Sequence, residues 1–326
     1  MVHFPSLPIA GLSTAPEVAS EILRRKIPHD QPWATQLPVH LTRQSTPPGG
    51  RRYALVSFWE ERCRDVVQRT TIDKNIALHW HLQPNASPIF TYEAEPAVLQ
   101  KPSSTALEKA LLLLGTLYQR LEADATPTGR LLALRNHAEV LRTWTAVQEE
   151  LIKRSGGEDE VTRILLKLVG SQLQHPEAIL ASLRHDYAFA FLLPNLYRQR
   201  FESNFYYEQV LEFPLFFTDT SLWFPEQLVV LAPVAPGRAL LRANGLLDIN
   251  RTDLKAIAQQ IDAAFAAANQ PAHAVDVATL QGTYKAVFDL DTVTGWPITV
   301  EVSVVCRAGD NYSKEYFLRF EQLPNL

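Results

Sequence analysis

Cysteine is nearly absent from this chain, and its scarcity removes whole classes of chemistry. Two cysteines in 326 residues, Cys63 and Cys306, can build neither a disulfide framework nor a multi-cysteine zinc site, and they fit a reducing compartment. Glycine is also sparse, at 13 residues, and no two glycines stand two places apart. That excludes a Gly-x-Gly dinucleotide loop, and no glycine is followed by the lysine of a phosphate-binding loop. Neither a Gly-x-Ser-x-Gly elbow nor a His-Glu-x-x-His helix occurs. The longest apolar run near the centre, Ala188 to Leu193, is far too short to cross a bilayer. Met1 to Lys26 lacks a basic start followed by an apolar core, so no standard signal peptide is visible and a cytoplasmic location is expected. A net charge of −4 gives no reason to expect nucleic acid or a membrane as partner.

What the chain does have is leucine at helical spacing between Thr105 and Phe201. Thr105 and Glu108 have the spacing of a capping box. Leu107, Ala110, Leu111, Leu114, Leu117, Tyr118 and Leu121 follow at steps of three and four, predicting one helix that stops before Thr126-Pro127. A second is expected from Thr128 to Gly156-Gly157, with Leu131, Leu134, Ala138, Leu141, Trp144, Val147 and Leu151 on one face. A third starts at the acidic run Glu158 to Glu160, and a fourth runs from Pro176 to Pro194. Short connections predict an antiparallel bundle of these helices.

On either side, shorter patterns read as strands. Residues 1–50 are rich in proline and read mainly as extended chain, with one short helix expected at Glu17–Lys26. From Tyr53 to Thr71 strand and helix compete; a strand followed by a helix carrying Trp59, Cys63 and Val66 is the expectation. Ile76 to Gln83 alternates cleanly and should pair with Ile89–Glu95 as a hairpin. Further strands are expected at Phe205–Phe213 and Leu228–Ala232, and a hairpin around Asn244-Gly245. Asn250 and Asp253 can cap a helix at 251–268, and three alternating segments from Gly282 to Phe320 read as a meander.

The fold class expected is therefore α+β: a central antiparallel helical bundle, a hairpin-containing N-terminal segment, and a C-terminal α+β unit with an antiparallel meander. The corresponding divisions are 1–100, 101–201 and 202–326.

Candidate chemistry is thin. His79 and His81 project from one side of a strand and could share a metal, with Glu93 or Glu95 on the paired strand as third ligand; polar-face alternation gives the same pattern. Cys63 lies between Arg62 and Arg64, which would lower an exposed thiol's pKa, but a helical face would bury it. His137-Ala138-Glu139 lacks the paired cysteines of a zinc deaminase.

Lys285-Ala286-Val287-Phe288-Asp289-Leu290-Asp291-Thr292 resembles the first motif of the haloacid dehalogenase phosphatases, a buried strand ending in Asp-x-Asp. The resemblance implies Asp289 as nucleophile and Asp291 as general acid, with magnesium between them. It stops there: a meander's length remains where that family needs a long parallel α/β sheet.

Thirteen aromatic residues fall between Tyr187 and Phe224. Such density builds cores, here the seam between helices and closing sheet, or else a partner surface with nearby arginines. The surface reading names Tyr197, Arg198, Arg200, Phe205, Tyr207 and Trp223. The function expected from these signals is non-enzymatic protein binding or assembly, with no cofactor. The alternatives are an unrecognised enzyme, metal-dependent through His79 and His81, and a small-ligand binder with an aromatic pocket.

Overall fold

The structure, a computed structural model, describes residues 23–26, 39–47, 49–99, 106–155, 160–184, 186–194, 196–197, 200–202, 205–217, 220–231, 235–271 and 277–324. The first strands are β1 (Leu23–Lys26), β2 (Val39–His40), β3 (Arg51–Cys63), β4 (Val66–His81), β5 (Ile89–Ala94) and β6 (Val98–Leu99). Then come α1 (Ala106–Gly115), β7 (Arg120–Ala125), β8 (Leu131–Leu134), α2 (His137–Ser155), α3 (Glu160–Leu173), α4 (Pro176–Arg184) and α5 (Tyr187–Leu192). The chain closes with β9 (Arg200–Phe201), β10 (Phe205–Phe217), β11 (Thr220–Leu231), β12 (Arg238–Leu246), α6 (Leu254–Ala267), β13 (Leu280–Asp291), β14 (Pro297–Ala308) and β15 (Tyr312–Gln322).

Thirteen of these strands form one antiparallel sheet in the order β1-β10-β11-β12-β13-β14-β15-β3-β4-β5-β7-β8, with β6 beside β4; β2 and β9 pair separately. The middle of the sheet is the junction of β15 with β3, Tyr316 opposite Trp59, so chain segments from either side of the helices share one sheet. That order sets the helices' task. The chain leaves the sheet at β8, one edge, and rejoins it at β10, near the other. Helices α2 to α5 lie between these two strands in the chain, and α5 lies across the apolar face.

Contacts of α5 show that this face is concave. Tyr187 meets Trp59 of β3, Tyr316 of β15 and Phe213 of β10, with ring centroids 5.9, 4.8 and 5.2 Å apart. Phe189 meets Tyr92 of β5 at 4.8 Å, and Phe191 meets Phe288 of β13 at 6.4 Å. Eight strand steps separate β10 from β5. On a flat sheet they would span about 38 Å at ~4.8 Å per step. A six-residue helix is only about 9 Å long. One short helix can touch both strands only because the sheet curls around it. Trp59 also reaches Phe216 of β10 directly, at 5.2 Å. Burying each such ring contributes about 2–3 kcal/mol, so the aromatics of 187–224 mostly seal this interior.

The helical bundle is overturned: the body is one large sheet with helices laid against it. The leucine stripe misled for a definite reason. A spacing of four keeps residues on one face in a helix and equally in a strand, whose period is two. Leu117 and Leu121 share such a spacing, yet Leu121, Ala123 and Ala125 point inward from β7 while Glu122 and Asp124 do not. The second predicted helix loses its start to β8, and begins only at His137. Trp59 and Cys63, also four apart, lie on the inward face of β3, with no helix following. The fourth predicted helix breaks into α4 and α5.

Asn244-Gly245 is no hairpin turn either: β12 runs straight through it. Glycine is needed there because β11 crowds it, a Cβ standing 2.8 Å from the Pro225 carbonyl oxygen. Asp253 does cap α6, accepting from the Ala256 amide at 3.0 Å, and β13–β15 form the expected meander. The short helix expected at Glu17–Lys26 falls outside the described residues except for Leu23–Lys26, which pair as β1.

Candidate functional site

The inward face of β4 carries Ile72, Lys74, Ile76, Leu78 and Trp80, since alternate residues share a face. Lys74 is thus a charged residue where the pattern calls for an apolar one. Its Nζ donates to the Tyr92 hydroxyl at 2.9 Å. Burial pulls the Lys74 pKa down, but the Tyr92 oxygen and the Asp186 carboxylate outweigh it and hold the amine above its ordinary value. Asp186 is fixed as the N-cap of α5, accepting from the Phe189 amide at 3.1 Å.

Lys74, Tyr92 and Asp186 line a cavity of about 390 Å³ closed by α1, α4 and α5. Its other walls are mainly apolar: Ile72, Ala94, Leu112, Leu113, Leu183 and Phe189. Tyr118 also contributes, its phenol pushed up to about 12 by burial. Lys109, Arg154 and Glu95 stand exposed at the rim. The volume falls in the range of small-molecule sites, and an apolar chamber with few fixed polar groups is their common form. A lysine held above its ordinary pKa is a cation and a donor. It can orient an acceptor group.

A second, smaller cavity of about 140 Å³ lies beneath α6, lined by Ala263, Ala264, Ala267, Cys63 and Lys314 among others. Lys314 is 3% exposed, its Nζ 3.9 Å from Glu61 Oε1. Glu61 also accepts from the Tyr312 hydroxyl at 2.7 Å. Glu226, 3% exposed on β11, accepts from Tyr284 at 3.0 Å and from Gln209, and burial raises its pKa. Sequence reading missed Lys74, Glu226 and Lys314 alike. The signal was the parity of their positions: each stands on the inward register of an alternating strand.

The residues singled out from sequence lie elsewhere. His79 and His81 stack on the outer face of β4 with ring centroids 6.4 Å apart, and His79 Nε2 is 3.7 Å from Glu93 Oε2. Glu93 is shared with Arg120 at 3.6 Å. Among the described residues no group of three His, Cys, Asp or Glu side chains is placed to hold a metal ion. Asp289 is paired with Arg238, and Asp291 caps its own turn, accepting from the Val293 amide at 2.8 Å and the Thr294 hydroxyl at 2.8 Å. Both aspartates lie on an antiparallel meander, so the phosphatase likeness ends with the motif. Burial pushes the Cys63 thiol up to about 11, away from reactivity. His137 joins α2 to the end of α3 through the Leu173 carbonyl at 2.7 Å.

The proposed partner surface divides. Tyr197 and Tyr207 are core residues, 1% and 5% exposed, and the Tyr207 hydroxyl is spent on the Arg200 carbonyl and the Glu202 amide. Phe205 and Trp223 are half-buried, Arg200 is exposed beside Glu202, and Arg198 lies outside the described residues. A folded protein cannot offer Tyr197 or Tyr207 to a partner.

Neither a protein-family model nor a curated protein matches the chain. Among solved structures it is similar to one concerned with lipid–protein interactions in lipovitellin, at 12% identity and a TM-score of 0.42, over 85% of this chain and 25% of that one. The chain spans a quarter of that protein's length, and a likeness so distant carries no argument about function. No helix among the described residues is long and apolar enough to cross a membrane.

Proposed function

We propose that the chain is a non-enzymatic binding protein for a small apolar molecule with an anionic or acceptor head group. The observation that carries this reading is the cavity of about 390 Å³ with the Lys74 ammonium in its wall. The apolar walls would take the body of the ligand, and Lys74 would take its head. Tyr92 and Asp186 hold the amine in place and charged before any ligand arrives. Such preorganisation lowers the cost of binding.

The test is a titration with anilinonaphthalene sulfonate, an apolar ring system bearing one anionic group, followed by competition with a medium-chain fatty acid. Saturable fluorescence enhancement is expected with an unchanged near-ultraviolet circular dichroism spectrum, since a loosened fold would also bind the dye. Lys74→Met should weaken binding about tenfold, the worth of one hydrogen bond to a charged group. Ala94→Phe, which fills the chamber from β5, should abolish it. Equal affinity in wild type and both variants would dispose of the reading.

A further inference from the structure

Seven buried side-chain nitrogen and oxygen atoms have no hydrogen-bond partner among the described residues, and five of them belong to one cluster: Arg43 Nε, Nη1 and Nη2, Trp80 Nε1 and Tyr197 Oη. Chance does not gather orphaned polar atoms in this way, because buried polar groups are nearly always satisfied. Arg51 Nε is a sixth, and Arg43 and Arg51 both act on the Tyr53 hydroxyl.

Arg43 is 2% exposed, on the segment that leads into β3. Its guanidinium carbon lies 3.8 Å from the Tyr197 ring centroid, 4.8 Å from Trp80 and 4.9 Å from Trp296. Those rings are themselves 1%, 0% and 0% exposed, so the charge is walled in. The backbone closes over it as well. Gly129 adopts a positive φ of +103°, and a Cβ there would stand 2.9 Å from Nη1.

Aromatic faces interact with the flat of a guanidinium, but its N–H groups lie around the edge and need acceptors. No salt bridge to Arg43 exists among the described residues. Asp291, within electrostatic reach of Arg51 and Tyr53, is committed to the Val293 and Thr294 amides and the Thr294 hydroxyl. The Trp296 indole is satisfied by the Gln44 carbonyl at 2.9 Å, which leaves it as a wall. What remains is the Arg43 guanidinium cation, beside an indole N–H and a phenol O–H. All of these groups can donate.

We propose that this cluster is a binding site for a small monovalent anion of halide size, held by the Arg43 guanidinium with the Trp80 indole and Tyr197 hydroxyl. A donor set of this kind complements an acceptor with no proton of its own. The lack of any exposed wall limits the anion to one of a few atoms. Its role would be to neutralise Arg43 and so join the segment before β3 to β4 and to the turn after α5. The site is separate from the Lys74 cavity, and neither reading depends on the other.

Two measurements test it. Crystals of the unaltered full chain grown in bromide should show an anomalous peak within hydrogen-bond distance of the Arg43 nitrogens. In solution, replacing gluconate by chloride at constant ionic strength should raise Tm along a saturating curve, since a ligand bound only by the folded state stabilises it. Arg43→Met should remove that response. Ordered water without an anomalous peak at these nitrogens would overturn the proposal, as would an undiminished chloride response in Arg43→Met. If that variant does not fold, the bromide map decides alone.

Discussion

Lys74 and Lys314 occupy equivalent places in this sheet, yet the protein treats their charges in opposite ways. Each stands on the inward register of a long strand, between Ile72 and Ile76 on β4 and between Tyr312 and Tyr316 on β15. Burial works against both ammonium groups. At Lys74 an acceptor oxygen 2.9 Å away and the Asp186 carboxylate reverse its effect. At Lys314 the burial effect prevails and the pKa falls, although Glu61 and the Cys306 thiol pull the other way. The Glu61 carboxylate is 3.9 Å distant and divided with Tyr312, and the remaining neighbours are the rings of Trp59, Phe216 and Phe217 at 5.1 to 5.9 Å. The distance and freedom of the acceptor set the direction in which an inward lysine's pKa moves. Its place in the strand does not.

Removing the acceptors should break this contrast unevenly. Glu61→Leu would leave the Lys314 ammonium and the Tyr312 hydroxyl without their oxygen, at a cost of about 3 kcal/mol, because an uncompensated charge stays buried. Adding Lys314→Met should recover most of that loss, and denaturant unfolding of both variants measures it. A loss no larger than that of an exposed substitution would show that Glu61 does not hold Lys314. Asp186→Ala should cost less, about 1 kcal/mol, the usual worth of an N-cap. Lys74 keeps Tyr92 in that variant and borders the larger cavity, so its charge is never stranded.

Strand parity also separates the elements that are legible in the sequence from those that are not. Ile76, Leu78 and Trp80 alternate so plainly that the β4–β5 hairpin was legible, and so were Asp253 as a cap and the meander of β13 to β15. Two steps back along the same alternation lies Lys74, and two steps before Tyr316 lies Lys314. Carrying the register through a charged residue would have found both. The leucine-rich middle was illegible for a different reason. Spacings of four cannot separate the two periods, and only Glu122 and Asp124 between Leu121 and Ala125 betray β7. The seating of α5 against strands from β10 to β5 depends on strand order, which no local pattern contains. The cavity arises from that seating, so nothing in any one segment announces it.

The finest test of the contrast is the pH dependence of stability in the alkaline range. A lysine with a raised folded pKa contributes stability below its unfolded value and loses it as pH rises through the folded one. Lys74 should therefore make the wild type less stable, relative to Lys74→Met, only once pH passes the ordinary lysine value. Lys314 has a depressed pKa, so the sign reverses. Between its folded and unfolded values the unfolded chain binds the extra proton, and stability rises with pH. Wild type should thus gain on Lys314→Met as pH climbs toward the ordinary lysine value, the range in which Lys74→Met runs parallel to wild type. Subtracting each variant's curve from the wild type cancels the tyrosines and cysteines that do not interact with that lysine. The two difference curves should slope in opposite directions on opposite sides of the ordinary value. Curves of the same sign would mean that both amines are solvated alike and that the acceptor geometry decides nothing.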